Sequence, residues 1–196
     1  MPDADTGPDG AIHLDANTGR DGTIHLDANT GPEDASHSDA GLERALAIGY
    51  RFLNARERTE AEMRRHLQSK DIDPRDAEQS VQTFVDQGYL DDARFARLFV
   101  QDKRALDEWG ADRIRQALLG RGVDRDVVDD ALAEHERNSG GGEIGRALAV
   151  LRRRFPSPAG DRRERERALG VLLRKGYDAD LALEAITVYV RDPDSS

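Results

Sequence analysis

The chain has 196 residues, 35% charged, 37% hydrophobic and 5% aromatic, with no Cys and a formal net charge of -10. That length suits one ordinary domain or a short array of small units, and no apolar run approaches the roughly 20 residues of a bilayer span. Residues 1–30 carry acids where a secretory leader would be basic and then apolar, and the lack of Cys removes disulfides, thiolate metal sites and Cys nucleophiles, so a cytoplasmic protein is expected.

The charge is unevenly spread. Residues 1–41 hold nine acids (Asp3, Asp5, Asp9, Asp15, Asp21, Asp27, Glu33, Asp34, Asp39) and one base, Arg20, a balance of -8. The other 155 residues hold 30 acids and 28 bases and are nearly neutral. The acidic stretch is also periodic: residues 7–18 read GPDGAIHLDANT, 19–30 GRDGTIHLDANT and 31–40 GPEDASHSDA. A repeat this polar cannot bury enough surface to offset chain ordering, so residues 1–41 are expected to form a disordered acidic tail. Asp15-x-Asn17-x-Gly19 begins like an EF-hand loop, but its sixth position is Arg20 and its twelfth Leu26, which rejects calcium. His13, His25 and His37 lie 12 residues apart with no fold to gather them, which rejects zinc. No metal and no cofactor are expected.

From Leu42 onward apolar residues recur at helical spacing and no segment alternates with period two. The faces read Leu46, Gly49, Tyr50, Leu53; Met63, Leu67; Ala77, Val81, Phe84, Val85; Phe95, Leu98, Phe99; Ile114, Ala117, Leu118; and Val128, Ala131, Leu132. Three more follow: Ile144, Leu148, Leu151, Phe155; Ala168, Leu169, Leu172; and Ala182, Ala185, Ile186, Tyr189. Thr59-x-x-Glu62 is a capping box and Asp91 an N-cap signal, while Gly88, Gly120, Gly122 and Gly176 are stop signals. Residues 63–73 align with 114–124 at an offset of 51, and with 168–178 at a further 54. Each copy ends in a base (Lys70, Arg121, Lys175), a turn residue, an apolar residue and an Asp that caps or precedes the next helix.

The expected fold is therefore all-α: an elongated tandem array of three three-helix units, nine helices in all, stabilised by stacking of neighbours. The boundaries are a tail at 1–41, repeats at 42–89 and 90–138, a Gly-rich linker at 139–142, a third repeat at 143–191 and a C-terminal tail at 192–196.

Gly140-Gly-Gly142-Glu-Ile-Gly145 matches the dinucleotide pattern, but a helix rather than a strand precedes it, so a linker is expected. Asp91 and Asp92 have no catalytic partner nearby and read as caps. His66 and His135 lack zinc-site spacing and read as solvated or partly packed. No nucleophile, metal cluster or acid/base pair can be assembled, so no enzyme and no small-molecule substrate are expected. Residues 146–175 differ in carrying ten bases against three acids. The candidate binding positions are Arg152, Arg153, Arg154, Arg162, Arg163, Arg165, Arg167, Arg174 and Lys175, of which the first five form the densest basic segment. They form either a salt-bridged helix surface or one that faces phosphates or an acidic partner, for which guanidinium forks are suited.

Two ordered runs carry a resemblance: Gly88-Tyr-Leu-Asp-Asp-Ala-Arg-Phe-Ala96, and Trp109-Gly-Ala-Asp-Arg-Ile-Arg-Gln-Ala-Leu-Leu-Gly-Arg-Gly-Val123. With Arg56-Glu-Arg58-Thr59-x-x-Glu62-Met63 before them and Leu172-Leu-Arg-Lys-Gly-Tyr177 after, the chain resembles the RecX family of recombinase regulators over residues 45–190. The matching positions are Arg56, Arg58, Tyr89, Leu90, Asp91, Asp92, Phe95, Ala96, Gly110, Ile114, Leu118, Gly122 and Gly176. The resemblance implies a helical array that binds the RecA nucleoprotein filament and mainly inhibits its recombinase and coprotease activities, so regulating DNA repair, recombination and the SOS response. It further implies affinity for single- or double-stranded DNA within the filament, with no catalysis and no membrane association. The alternative is a sequence-independent DNA-binding helical module without a specific protein partner.

Two departures from the family pattern carry expectations. Asp71 stands where the other copies have Gly122 and Gly176, and is expected at positive φ. The acidic tail is expected to compete with phosphate for the arginines.

Overall fold

A computed structural model describes residues 32–155, 157 and 161–191. Among them are nine helices and no strand: α1 (Pro32–Leu53), α2 (Glu60–Gln68), α3 (Pro74–Asp86), α4 (Asp92–Ala105), α5 (Ala111–Arg121), α6 (Arg125–Asn138), α7 (Gly142–Arg154), α8 (Arg162–Lys175) and α9 (Ala179–Arg191). They form three consecutive triplets. In each, the first and third helices pack together and the middle helix closes the triangle. The tail expected at residues 1–31 and the C-terminal tail at 192–196 lie outside the described residues.

The remainder of the expected tail is corrected by α1, which opens at Pro32 and makes the third copy of the 12-residue repeat helical. The sequence explains the difference. Pro32 occupies the first helical position, where its missing N–H costs nothing, and the acids Glu33 and Asp34 fall in the first turn, where they suit the helix dipole. Between the second and third units, Gly141 adopts φ +93 as the cap of α7, which starts at Gly142. Gly120, expected to stop a helix, lies inside α5, and Gly122 performs that role.

Three separate cores follow the triplets, built on Met63, Leu67 and Phe84, on Ile114, Leu118 and Val128, and on Leu151, Leu172 and Ile186. Leu98, expected on a core face, is 42% exposed. Ala96 and Val100 take the buried side of α4 instead, two small side chains that allow α4 and α6 to approach closely. Gly49 has the same purpose in α1, since a Cβ there would lie 2.4 Å from the Phe84 ring.

The turn after each middle helix is the same device three times. Asp71, Gly122 and Gly176 have φ of 54, 88 and 83, so Asp71 does adopt the left-handed backbone. The next residue, Ile72, Val123 or Tyr177, is buried and returns its N–H to the carbonyl of Leu67, Leu118 or Leu172, the closure of a Schellman motif. Asp73, Asp124 and Asp178 then cap α3, α6 and α9 by accepting from the N–H two residues on, at 2.8, 2.9 and 2.9 Å. A side-chain cap contributes about 1 kcal/mol.

Units are joined through the ends of their middle helices. At the first joint the Thr59 hydroxyl donates to the Arg121 carbonyl at 2.9 Å, and Arg65 reaches the same oxygen at 3.0 Å. At the second, Gly110 and Asp112 N–H groups donate to the carbonyls of Lys175 (2.8 Å) and Gly176 (3.2 Å). In both cases the positive N-terminus of one helix meets the negative C-terminus of the next unit's helix; side chains satisfy the open carbonyl at the first joint, and backbone N–H groups do so at the second. Gly110 and Gly176 are required by the close approach: a Cβ on Gly110 would lie 2.1 Å from the Gly176 carbonyl oxygen.

Candidate functional site

The nine basic positions singled out in the third unit do not share one surface. Arg163, Arg167 and Arg174 recur at helical spacing on one exposed side of α8, with Gly170 between them. Together with Arg154 and Phe155 at the end of α7, and Val171 and Glu166, they line one open groove. Its volume is about 520 Å³. The Glu166 carboxylate is engaged by Arg162 Nε at 2.8 Å. Among the described residues, no carboxylate lies within ion-pair distance of the Arg154, Arg163, Arg167 or Arg174 guanidinium.

Arg153 and Lys175 are used elsewhere, at the second joint. Both pair with Glu108, Lys175 at 3.0 Å, and Lys175 Nζ also donates to the Asp107 carbonyl at 2.8 Å. Glu108 itself has φ +54. Burial opposes its ionisation, but hydrogen bonds and charge from Lys175 and Arg153 outweigh this and hold it below the usual carboxylate range. Arg152 is half-buried on α7 and Arg165 is exposed on α8, both with interactions of their own.

The same joint contains a buried ion pair that the sequence did not disclose. Arg104, 7% exposed, pairs through both terminal nitrogens with Glu143 and donates to the Trp109 carbonyl at 2.9 Å. Glu143 also accepts the Ala111 N–H at 2.9 Å and Arg146 at 3.1 Å. Burial raises its pKa, yet these donors prevail and hold it low. Nearby, burial and the Glu143 charge push the Tyr177 hydroxyl up to about 12. The repeat gave no direct signal for it: Glu143 lies 51 residues after Asp92, whereas the middle helices of the second and third units align at an offset of 54.

The motif residues prove to be architectural in placement. Leu90, Phe95, Ala96, Ile114 and Leu118 are buried. Asp91 caps α4 by accepting the Arg94 N–H at 2.8 Å, and Asp92 reaches across the first joint to the Glu60 N–H at 3.0 Å. Arg56 forks onto Glu62, both contacts at 3.2 Å, and Arg58 lies 3.8 Å over the Phe52 ring. Gly110, Gly122 and Gly176 sit at the joints, and Tyr89 is an exposed ring packed edge-on against Tyr50. His66 stacks on Phe52, and His135 lines a shallow cleft between α4 and α6. No cluster of three or more potential metal ligands occurs among the described residues, and no helix there is long and apolar enough to cross a membrane.

Known proteins match this array segment by segment. The family models for the first and second three-helix domains of RecX match residues 45–83 and 91–132. Over 134 residues the chain is 36% identical to the regulatory protein RecX of Trichlorobacter lovleyi, covering 67% of this chain and 86% of that one. The chain belongs to the RecX family. It is also 32% identical to the RecX of Leptothrix cholodnii over 136 residues, 69% of this chain and 83% of the relative. In fold it resembles the crystal structure of RecX from Lactobacillus salivarius, with a TM-score of 0.67 and 18% identity over 78% of this chain and 98% of that one. A second crystal structure, of a regulatory protein RecX, gives 0.63 at 21% identity, covering 82% and 76%.

Proposed function

We propose that this RecX-family chain is a cytoplasmic regulator without catalysis of its own, which binds the RecA nucleoprotein filament and mainly inhibits its recombinase and coprotease activities. DNA repair, recombination and the SOS response are the processes it would adjust. The observation that carries the reading is the α8 groove, where four arginines converge on a shared face. Guanidinium forks spaced along a helix suit successive phosphates or an acidic protein surface. Phe155 is the groove's one aromatic side chain, which favours backbone contact over base stacking. The joints support the same reading, because helix ends locked to helix ends hold the groove at a fixed distance from the other two units.

The test is fluorescence anisotropy of the full chain, labelled at Ser196→Cys, titrated with RecA on single-stranded DNA, with RecA alone and with DNA alone. Tighter binding to the assembled filament than to either component is expected. Equal affinity for naked DNA and filament would overturn the reading and leave a sequence-independent DNA-binding module.

A further inference from the structure

A second basic groove lies at the opposite end of the array, on the first unit. Ile48, Arg51, Phe52 and Ala55 from α1 and the turn after it face His66 and Lys70 from the end of α2. Ile48 and Phe52 are half-buried and pack on the first core. No carboxylate lines this groove, and among the described residues neither Arg51 nor Lys70 has an ion-pair partner. Burial, with Lys70 and Arg58 nearby, lowers the pKa of His66, so the cationic character at neutral pH rests on Arg51 and Lys70. An occupant must therefore bring both apolar side chains and negative charge.

The chain contains such a segment. Among residues 1–31 the large apolar side chains after Met1 are Ile12, Leu14, Ile24 and Leu26, in the two copies of Ile-His-Leu-Asp. In extended chain Ile12 and Leu14 share one face, with Asp15 adjacent. Reach selects between the copies, because α1 acts as a ruler from its start at Pro32 to the groove. Arg44 Nη2 contacts the Lys70 carbonyl, which places Lys70 beside residue 44, about 18 Å along the helix from Pro32, with Phe52 about 30 Å along, at 1.5 Å per residue. The chain from Ile24 to Pro32 spans at most about 27 Å, and that from Asp15 to Pro32 about 58 Å. The first copy covers the whole groove; the second falls short of Phe52.

We propose that residues 12–15 of this chain dock into the α1–α2 groove, Ile12 and Leu14 against Ile48, Phe52 and Ala55, and Asp15 beside Arg51 and Lys70. The tether makes a weak contact sufficient: a short connection within the same chain presents the segment at an effective concentration on the order of millimolar, so a submillimolar affinity keeps the groove mostly filled. The assignment is independent of what the α8 groove binds.

The absence of Cys makes Thr18→Cys a single attachment point for a nitroxide on the full-length chain. In the isotope-enriched protein, paramagnetic broadening is expected at the amides of residues 48–55 and 66–70, and is expected to vanish in Arg51→Glu/Lys70→Glu and in Ile12→Ser/Leu14→Ser. The second variant leaves the helical body untouched and keeps the test valid if the first fails to fold. Broadening centred on residues 154–174 would overturn the proposal in favour of the third unit. Broadening found only when spin-labelled and enriched chains are mixed would assign the segment to a second copy and overturn the intramolecular contact. No site-specific broadening would overturn it outright.

Discussion

Glu143 occupies in the third unit the place that Asp92 occupies in the second. Each accepts, across a joint, the first helical N–H of the preceding unit's middle helix, Ala111 at 2.9 Å and Glu60 at 3.0 Å. The two acids differ in company. Glu143 is paired with the buried Arg104, whereas Asp92 is half-buried without an ion pair among the described residues.

Removing them should therefore have unequal consequences. Glu143→Ala leaves the Arg104 guanidinium buried and uncompensated, a change that typically costs about 3–5 kcal/mol. Asp92→Asn keeps an oxygen acceptor for Glu60 and should cost under about 1 kcal/mol, the scale of a neutral hydrogen bond. Urea denaturation midpoints of the two variants should separate accordingly; equal midpoints would refute the distinction.

Acid should act on the two joints in opposite directions. The pKa of Glu143 is depressed in the fold, so its contribution is full above the ordinary carboxylate range, near 4, and is lost as pH falls through the folded value. That of Asp92 is raised, by burial first and then by the neighbouring Glu60 and Asp91 charges. Its contribution is present below the ordinary value and is lost as pH rises through the folded one. The stability gap between wild type and Glu143→Gln should therefore shrink from pH 6 to pH 3, while the gap to Asp92→Asn shifts the other way. Parallel curves would contradict the assignment.

Groove and joint arginines should also separate by function. Arg163→Glu with Arg167→Glu should weaken filament or single-stranded DNA binding at least tenfold and flatten its salt dependence by about 1.4 log units per log unit of salt, two phosphate contacts at about 0.7 each. Arg162→Gln, whose guanidinium is committed to Glu166, should leave both unchanged. The check is anisotropy at several salt concentrations, and an unaltered slope in the double variant would remove these residues from the interface.

The three equivalent turns give a paired stability test. Asp71→Gly should stabilise by about 1 kcal/mol, because a non-glycine residue at left-handed φ carries a cost of that order. Gly176→Ala should destabilise by more, since its Cβ would lie 2.2 Å from Arg113 Cβ and 2.7 Å from Arg113 N. Thermal unfolding of the two variants decides.

Local chemistry made the repeats readable in the sequence: Met63, Ile114 and Ala168 recur in register, and the turn-plus-Asp signature is confined to four adjacent residues. The charge network was not readable, because its partners are far apart along the chain. Arg104 beside Lys103 looks like any basic end of a helix, and its partner Glu143 is 39 residues away. Counting bases in residues 146–175 located a cationic segment. The count could not reveal that Glu108, with an unanticipated positive φ, draws Arg153 and Lys175 out of the shared surface. The limit of the acidic tail was misplaced because composition over the whole repeat outweighed the helix-start signal of Pro32, Glu33 and Asp34, where α1 begins.

At both joints one of the receiving atoms belongs to the main chain, the carbonyl oxygen of Arg121 or Lys175. The side chains of these residues take no part in that contact, one lying over the Phe95 ring and the other at Glu108. Part of the spacing along the array is thus written in backbone. The side chain at residue 121 or 175 can change without removing the carbonyl that the neighbouring unit uses.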